Sequence, residues 1–328
     1  MKTRPASRLQ TSLSEIGFGA WAIGAEWGEV SEADAEAAVN AALDSGVTFI
    51  DTADVYGDGR SERIIAKVLD ARGGKRPFVA TKAGRRLRPH VADGYNAKNL
   101  RAFVERSRDN LRTDRIDLVQ LHCPPTEVYY RPAVFDALEA MKADGLIAAY
   151  GVSVEKVEEG LKAIEYPGVA SVQIIYNIFR QRPGELFSRE AKAKGVAIIA
   201  RVPLASGLLT GKLTRESTFG AGDHRNFNRH GEAFDVGETF AGVPYEVGLA
   251  AVEELRSFVP AGAAMAALAL RWVLMNDAVT TVIPGAKNAA QAKSNASAAA
   301  LPPLPAATMT AIRDLYTRRI APFVHQRW

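Results

Sequence analysis

A single cysteine, Cys123, is present in the 328 residues, so no intrachain disulfide can form and a cysteine-built zinc site is excluded. His224 and His230 are six residues apart with no cysteine near them, and no metal is expected. No apolar run approaches the roughly 20 residues that span a bilayer, so no membrane association is expected. Lys2, Arg4 and Arg8 near the start are not followed by an apolar stretch, which argues against a secretory signal. The expected location is the cytoplasm. Runs of like charge are also missing: 41 basic and 37 acidic residues give a net charge of +4 spread along the chain, and nucleic acid is not an expected partner. Nothing marks a domain boundary or a short repeat, so residues 1–328 read as one domain. Nothing decides the oligomeric state.

What is present is an alternation. Short β-branched runs fall at Ile16–Ala20, Val47–Ile50, Phe78–Thr81, Asp117–Leu121, Ile147–Val152, Ser171–Ile175, Val196–Arg201 and Thr280–Ile283. Between them lie helical patterns over Glu32–Ser45, Ser61–Leu69, Ala97–Leu111, Ala133–Ala143, Val154–Ile164 and Gly184–Lys194. Ser31 with Asp34 marks a helix start, and Gly46, Gly145 and Gly195 sit where helices hand over to strands. Apolar strands alternating with helices imply a parallel sheet, and eight such units favour closure into a (β/α)8 TIM barrel. One long stretch, Ser206 to Pro244, breaks the rhythm. Its Gly, Asp and Asn content predicts a loop, and its four phenylalanines predict an ordered lid after the seventh strand. From Leu301 the chain reads as a proline-rich turn and a C-terminal packing helix.

Two glycine patterns fail as phosphate motifs. Gly17, Gly19 and Ala22 fit a loose dinucleotide fingerprint, but no helix opens until Ser31. Gly207 to Lys212 is one residue short of a P-loop, and Leu213 replaces its hydroxyl residue. The placement of ionisable residues is more informative. Asp51, Lys82 and His122 close three successive strands, at the end of a barrel where active sites lie, and Tyr56 follows on the same rim. These types suit carbonyl reduction. Tyrosine is a weak acid, with an ordinary pKa of roughly 10, and a neighbouring lysine ammonium eases its release of a proton. Asp51 would pair with Lys82, while a neutral His122 would orient the carbonyl oxygen.

The segment Phe49-Ile50-Asp51-Thr52-Ala53-Asp54-Val55-Tyr56-Gly57 resembles the signature of the aldo-keto reductases. Ala80-Thr81-Lys82 and Leu121-His122-Cys123-Pro124 resemble the segments that carry that family's lysine and histidine. The similarity runs from Ile16-Gly17-Phe18-Gly19 to Ile283-Pro284-Gly285-Ala286-Lys287. The resemblance implies an NADPH-dependent reductase of a small carbonyl compound, with catalytic Tyr56, Asp51, Lys82 and His122. It further implies an extended NADP(H) across the barrel mouth. Gly19, Ala20, Trp21 and Asp51 would meet the nicotinamide end, and Ser153 and Gln173 its carboxamide. Pro203, Leu204, Ser206, Gly207 and Leu208 would line the pyrophosphate. Gly285, Lys287, Gln291 and Asn295 would hold the adenosine end, with Lys287 as the 2′-phosphate contact. The phosphate location agrees with the general habit of barrels.

Two positions depart from the family pattern. Val154 stands where many members have Asn, and Arg201 where many have an aromatic ring on the nicotinamide. Arg201 has two readings: it stacks on the ring and disfavours the oxidised, positively charged form, or it turns away to a carboxylate. Arg225 would clamp the pyrophosphate when the lid closes, or stay solvated. The expected substrate pocket is Trp21, Trp27, Tyr56, His122 and Phe179, with Trp328 if the tail folds back. Other functions remain open: a sugar or polyol dehydrogenase working in reverse, a slow NADP-binding redox sensor, or a lyase using Lys82 as a Schiff base.

Overall fold

The computed structural model describes residues 1–24 and 27–328. It opens with a hairpin, β1 (Thr3–Ala6) and β2 (Thr11–Ser14), whose turn passes through Gln10 in the left-handed region. Then follow β3 (Phe18–Gly19), α1 (Glu32–Asp44), β4 (Phe49–Asp51), α2 (Arg60–Arg72), β5 (Phe78–Ala83), α3 (Ala97–Leu111), β6 (Ile116–His122), α4 (Pro132–Ala143), β7 (Ile147–Ser153), α5 (Val157–Ala163), β8 (Val169–Ile175), α6 (Leu186–Ala193) and β9 (Ala197–Arg201). The remainder holds the short α7 (His224–Phe227), α8 (Tyr245–Leu255), α9 (Met265–Leu274), β10 (Val279–Val282), α10 (Ala289–Ser297), α11 (Ala306–Leu315) and α12 (Ala321–Val324).

Strands β3 to β10 pair in parallel in sequence order, and all eight coincide with the apolar runs. Parallel bridges from Ile16 to Val282 and from Gly19 to Gly285 close the cylinder. The Gly17 N–H donates to the Val282 carbonyl at 2.8 Å, so no edge is left open there. The helices start where their caps dictate. Ser31 Oγ accepts the Asp34 N–H at 3.0 Å, and Asn96 Oδ1 accepts that of Asn99 at 3.1 Å. Gly46, Gly145 and Gly195 each take the positive φ of a helix exit.

The barrel interior is packed by Phe49, Ala80, Leu118, Ala149, Ile199 and Ile283, among others. The hairpin, which no periodicity announced, plugs its lower end. Leu9 and Leu13 join that interior cluster, and burying Leu13 completely contributes roughly 2 kcal/mol. Arg4 locks the plug by pairing with Glu15 and donating to the carbonyls of Leu274, Asn276 and Val279. Helix α9 was also not anticipated. Nine of its ten residues are buried, Arg271 among them, so it has no solvent face to set against an apolar stripe.

The Ser206–Pro244 segment folds across the barrel mouth in short turns held by side chain–backbone bonds. Asn228 Oδ1 accepts the N–H groups of Ala233 and Phe234, and Ser206 Oγ accepts that of Phe240. At its outer edge Asp223 bridges to Trp27 of the β3–α1 loop, which straps the lid over the cleft. Helix α11 continues through a π-helical turn at Tyr316–Ile320 into α12. The tail does fold back, but to the lid's underside. Trp328 donates from its indole nitrogen to Asp235 at 2.9 Å and stacks on the Arg180 guanidinium at 3.8 Å.

Candidate active site

Four side chains meet at the upper end of the barrel. Period-two alternation turns Leu118, Gln120 and His122 of β6 to one face, and the registers Lys82↔Gln120, His122↔Ser153 and Ser153↔Gln173 set their neighbours side by side. Lys82 is buried, and its ammonium donates to Asp51 Oδ2 at 2.6 Å, to the Thr52 carbonyl at 2.9 Å and to the Tyr56 hydroxyl at 3.2 Å. The other Asp51 oxygen accepts from Gln173 at 2.7 Å and from Gln120 at 3.1 Å. Both oxygens of this buried carboxylate are therefore engaged, as a charge in a low dielectric requires. The His122 ring lies edge-on to Tyr56 with centroids 6.0 Å apart. Burial, reinforced by the charges of Arg85, Lys82 and Arg201, holds its pKa well below the ordinary range, so the imidazole is neutral at pH 7.

Backbone packing aims the tyrosine. Gly57 has φ +60, and a Cβ there would lie 2.3 Å from the Gly24 carbonyl oxygen. The rim loop is thus wedged against the chain after β3, with Trp21 stacked on the Tyr56 ring at 6.1 Å. Cys123, Val202, Ala205 and Ser206, around the ends of β6 and β9, also take positive φ. Non-glycine residues in that region are strained, and such strain collects at functional sites.

The four residues sit at or beneath one end of a cleft of about 1420 Å³. A family model described as "Aldo/keto reductase family" matches residues 15–317. The chain belongs to the aldo/keto reductase family. It is 32% identical over 290 residues to "Aldo-keto reductase YhdN" of Bacillus subtilis, covering 85% of this chain and 82% of that one. Two solved structures are similar over nearly their whole length. The glycerol dehydrogenase AKR11B4 from Gluconobacter oxydans has a TM-score of 0.79 at 29% identity, covering 97% and 96% of the two chains. The holo form of the aldo-keto reductase AKR11C1 from Bacillus halodurans has 0.75 at 26%, covering 96% of each. The chain is thus an oxidoreductase of a family that uses nicotinamide cofactors.

The cleft of this aldo/keto reductase is large enough to ask whether such a cofactor fits. It is lined by Gly19, Trp21, Asp51, Tyr56, His122, Ser153 and Gln173, by Pro203, Leu204, Ser206 and Gly207, and by Gly285, Lys287, Gln291 and Asn295. Gly207 at φ +100 leaves the middle wall without a side chain, and the buried His122 Nδ1 has no partner among the described residues. These features fit a dinucleotide lying along the cleft. Some expected contacts are differently placed. Ala20 and Leu208 are fully buried in the core and do not line the cleft. The Ser206 hydroxyl is spent on the lid, donating to the Glu238 carbonyl and accepting from Phe240. Gln291 accepts the Lys287 N–H, and Asn295 donates to the Gly285 carbonyl, so both brace the loop they stand on.

The expected substrate wall also needs correction. Trp21 and Trp27 do line the cleft. Phe179 is fully buried, because the chain after β8 turns it into the core, and Trp328 is held beneath the lid. In their place the lid contributes Phe227 and Phe234.

Arg201 takes the second of its two readings. Its guanidinium pairs with Glu238 at 2.5 Å and Glu155 at 3.1 Å and donates to the Val154 carbonyl at 2.9 Å. With both carboxylates on it, Arg201 brings no net positive charge, so the predicted bias against an oxidised ring loses its basis. Burial, then the neighbouring Glu238, push the Glu155 carboxyl up to about 7. Cys123, Glu155 and Glu238 together have the spacing of a metal site, but the guanidinium occupies the space between them. Arg225 is not solvated: Asp223 grips it at 2.6 and 2.9 Å, between the rings of Trp27 and Phe219.

Sequence reading missed Gln120, Arg85, Glu155 and Glu238. Gln120 had a signal, a polar residue alternating in phase with His122 in an apolar strand. Arg85 lies three residues past Lys82 on the rim. Glu238, inside an aperiodic loop, had none.

Proposed function

We propose that the protein reduces aldehydes or ketones with NADPH, Tyr56 delivering the proton. The observation that carries this reading is the Lys82–Tyr56 hydrogen bond. The ammonium donates to the phenol oxygen, so the phenol keeps its own proton to give to a substrate carbonyl, and the ammonium steadies the phenolate that results. Asp51 fixes the ammonium, and neutral His122 donates to the same carbonyl oxygen and orients it. A bound nicotinamide supplies the hydride. Lys82 has its ammonium on three acceptors and is 1% exposed, which disfavours a Schiff-base role. At the adenosine end Arg225 is neutralised by Asp223. Lys287, bonded among the described residues to the Trp27 carbonyl alone, is a cation with charge to offer a 2′-phosphate.

Nicotinamide consumption with a panel of aldehydes tests this. We expect multiple turnovers with NADPH preferred over NADH, a loss of at least about 10²-fold in Tyr56→Phe, and a preference narrowed roughly tenfold or more in Lys287→Met. A Tyr56→Phe enzyme at wild-type rate overturns the reading. Oxidation of an alcohol is a second reading, favoured by the likeness to a glycerol dehydrogenase. Turnover of polyols with NADP⁺ but of no aldehyde would select it, and tight NADPH retention with one slow turnover would select the sensor.

A further inference from the structure

We propose that the carbonyl substrate carries an anionic group, a carboxylate or a phosphate, and that Arg85 binds it. The inference rests on the reductase reading for its carbonyl, but its anion site stands on separate observations. Arg85 follows β5 on the rim loop and lines the same cleft as Tyr56 and His122. Among the described residues its guanidinium makes no hydrogen bond and no ion pair, and it lies over the Phe234 ring of the lid at 5.4 Å. Arg85 is half-buried, and its N–H donors can take an acceptor that enters the cleft.

The acidic residues nearest to it are already engaged. Glu155 and Glu238 are both hydrogen-bonded or paired to Arg201. Burial opposes the charge on Arg85, yet the surrounding acidic groups keep it firmly protonated. It is therefore a fixed cation with no bonded counterpart among the described residues, facing an open cavity. After burial, the charge of Arg85 opposes protonation of the His122 ring, as those of Lys82 and Arg201 do. Arg88 adds a second cation at the rim, bonded among the described residues only to the carbonyls of Arg85 and Leu87. A planar guanidinium fork with an aromatic face beside it matches a carboxylate or phosphate on a small, partly apolar molecule.

The test compares matched pairs: 4-formylbenzoate against its methyl ester, and glyceraldehyde 3-phosphate against glyceraldehyde. The wild type is expected to favour the charged member of at least one pair by roughly tenfold or more in kcat/KM, and the pair that does so tells carboxylate from phosphate. Arg85→Met should bring that ratio to within about twofold, and Arg85→Lys should keep part of it, with melting curves to confirm that both variants fold. Equal rates within both pairs, or a preference that survives Arg85→Met, overturns the proposal. If no carbonyl is turned over, the reductase reading fails while the site is still tested by calorimetry with benzoate and with inorganic phosphate. Heat lost in Arg85→Met supports the anion site, and no binding to the wild type refutes it.

Discussion

Replacing Asp54 by asparagine should stabilise the protein, and increasingly so as pH rises from 5 to 8. Asp54 lies just past β4 and is fully buried, and no side chain among the described residues hydrogen-bonds its carboxylate. Burial first, and the neighbouring Glu62 second, push its pKa from the ordinary 3.8 up to about 7, against the partial relief of Arg86 and Arg106. The folded protein thus holds a proton that the unfolded chain releases near pH 4. Stability is unaffected by this group below about pH 4, falls as pH rises to about 7, and stays reduced beyond that. At about 1.4 kcal/mol per pH unit, the roughly three units between the two values amount to at most about 4 kcal/mol. The carboxamide keeps the shape and cannot ionise, so the variant escapes that loss. Glu62 titrates in both proteins, and the difference between them reports Asp54 together with its coupling to Glu62. Urea unfolding followed by circular dichroism at pH 5, 6, 7 and 8 measures it. We expect the stability gap to widen by about 2–3 kcal/mol in favour of Asp54→Asn across that range. A flat gap, or one that widens in favour of the wild type, would mean that Arg86 and Arg106 hold Asp54 ionised and that the argument is wrong.

Gly57→Ala should lower kcat by an order of magnitude or more while the protein stays folded, because its Cβ would strike the Gly24 carbonyl and push Tyr56 off Lys82; steady-state rates beside a melting curve check this. Trp328→Ala should cost about 3 kcal/mol. It should also expose the Ser206–Pro244 segment to limited proteolysis, since the indole holds Asp235 and covers Arg180, whose pKa burial has lowered to about 9. An unchanged digestion pattern would show that the tail does not anchor the lid. Lys82→Met should reduce kcat severely and also destabilise the fold by roughly 3–5 kcal/mol, because Asp51 is left as a buried charge without its counterion. Lys82→Met with Asp51→Asn together should recover most of the stability and none of the rate.

The amino-acid sequence by itself determined the eight strands, seven of the helices, the placement of Asp51, Lys82 and His122 at strand ends, and that of Tyr56 on the rim beside them. These are local properties: β-branched runs buried on both faces, caps at Ser31 and Asn96, glycine exits, and one polar residue closing each of three strands. Where the local signal was weak or uniform the reading failed. The hairpin strands are four residues long with polar faces, and α9 is buried on every side, so neither displays a period. The tertiary structure alone decided which groups find each other across long separations. It spent Arg201 on Glu155 and Glu238, seated Trp328 under the lid instead of in the cleft, took the Ser206 hydroxyl for Phe240, and left Arg85 without a bonded partner among the described residues. Such pairings depend on how an aperiodic loop and a C-terminal tail close over the barrel. Spacing along the chain records backbone geometry within a few residues and not the distance between a strand end and a loop some 40 residues away.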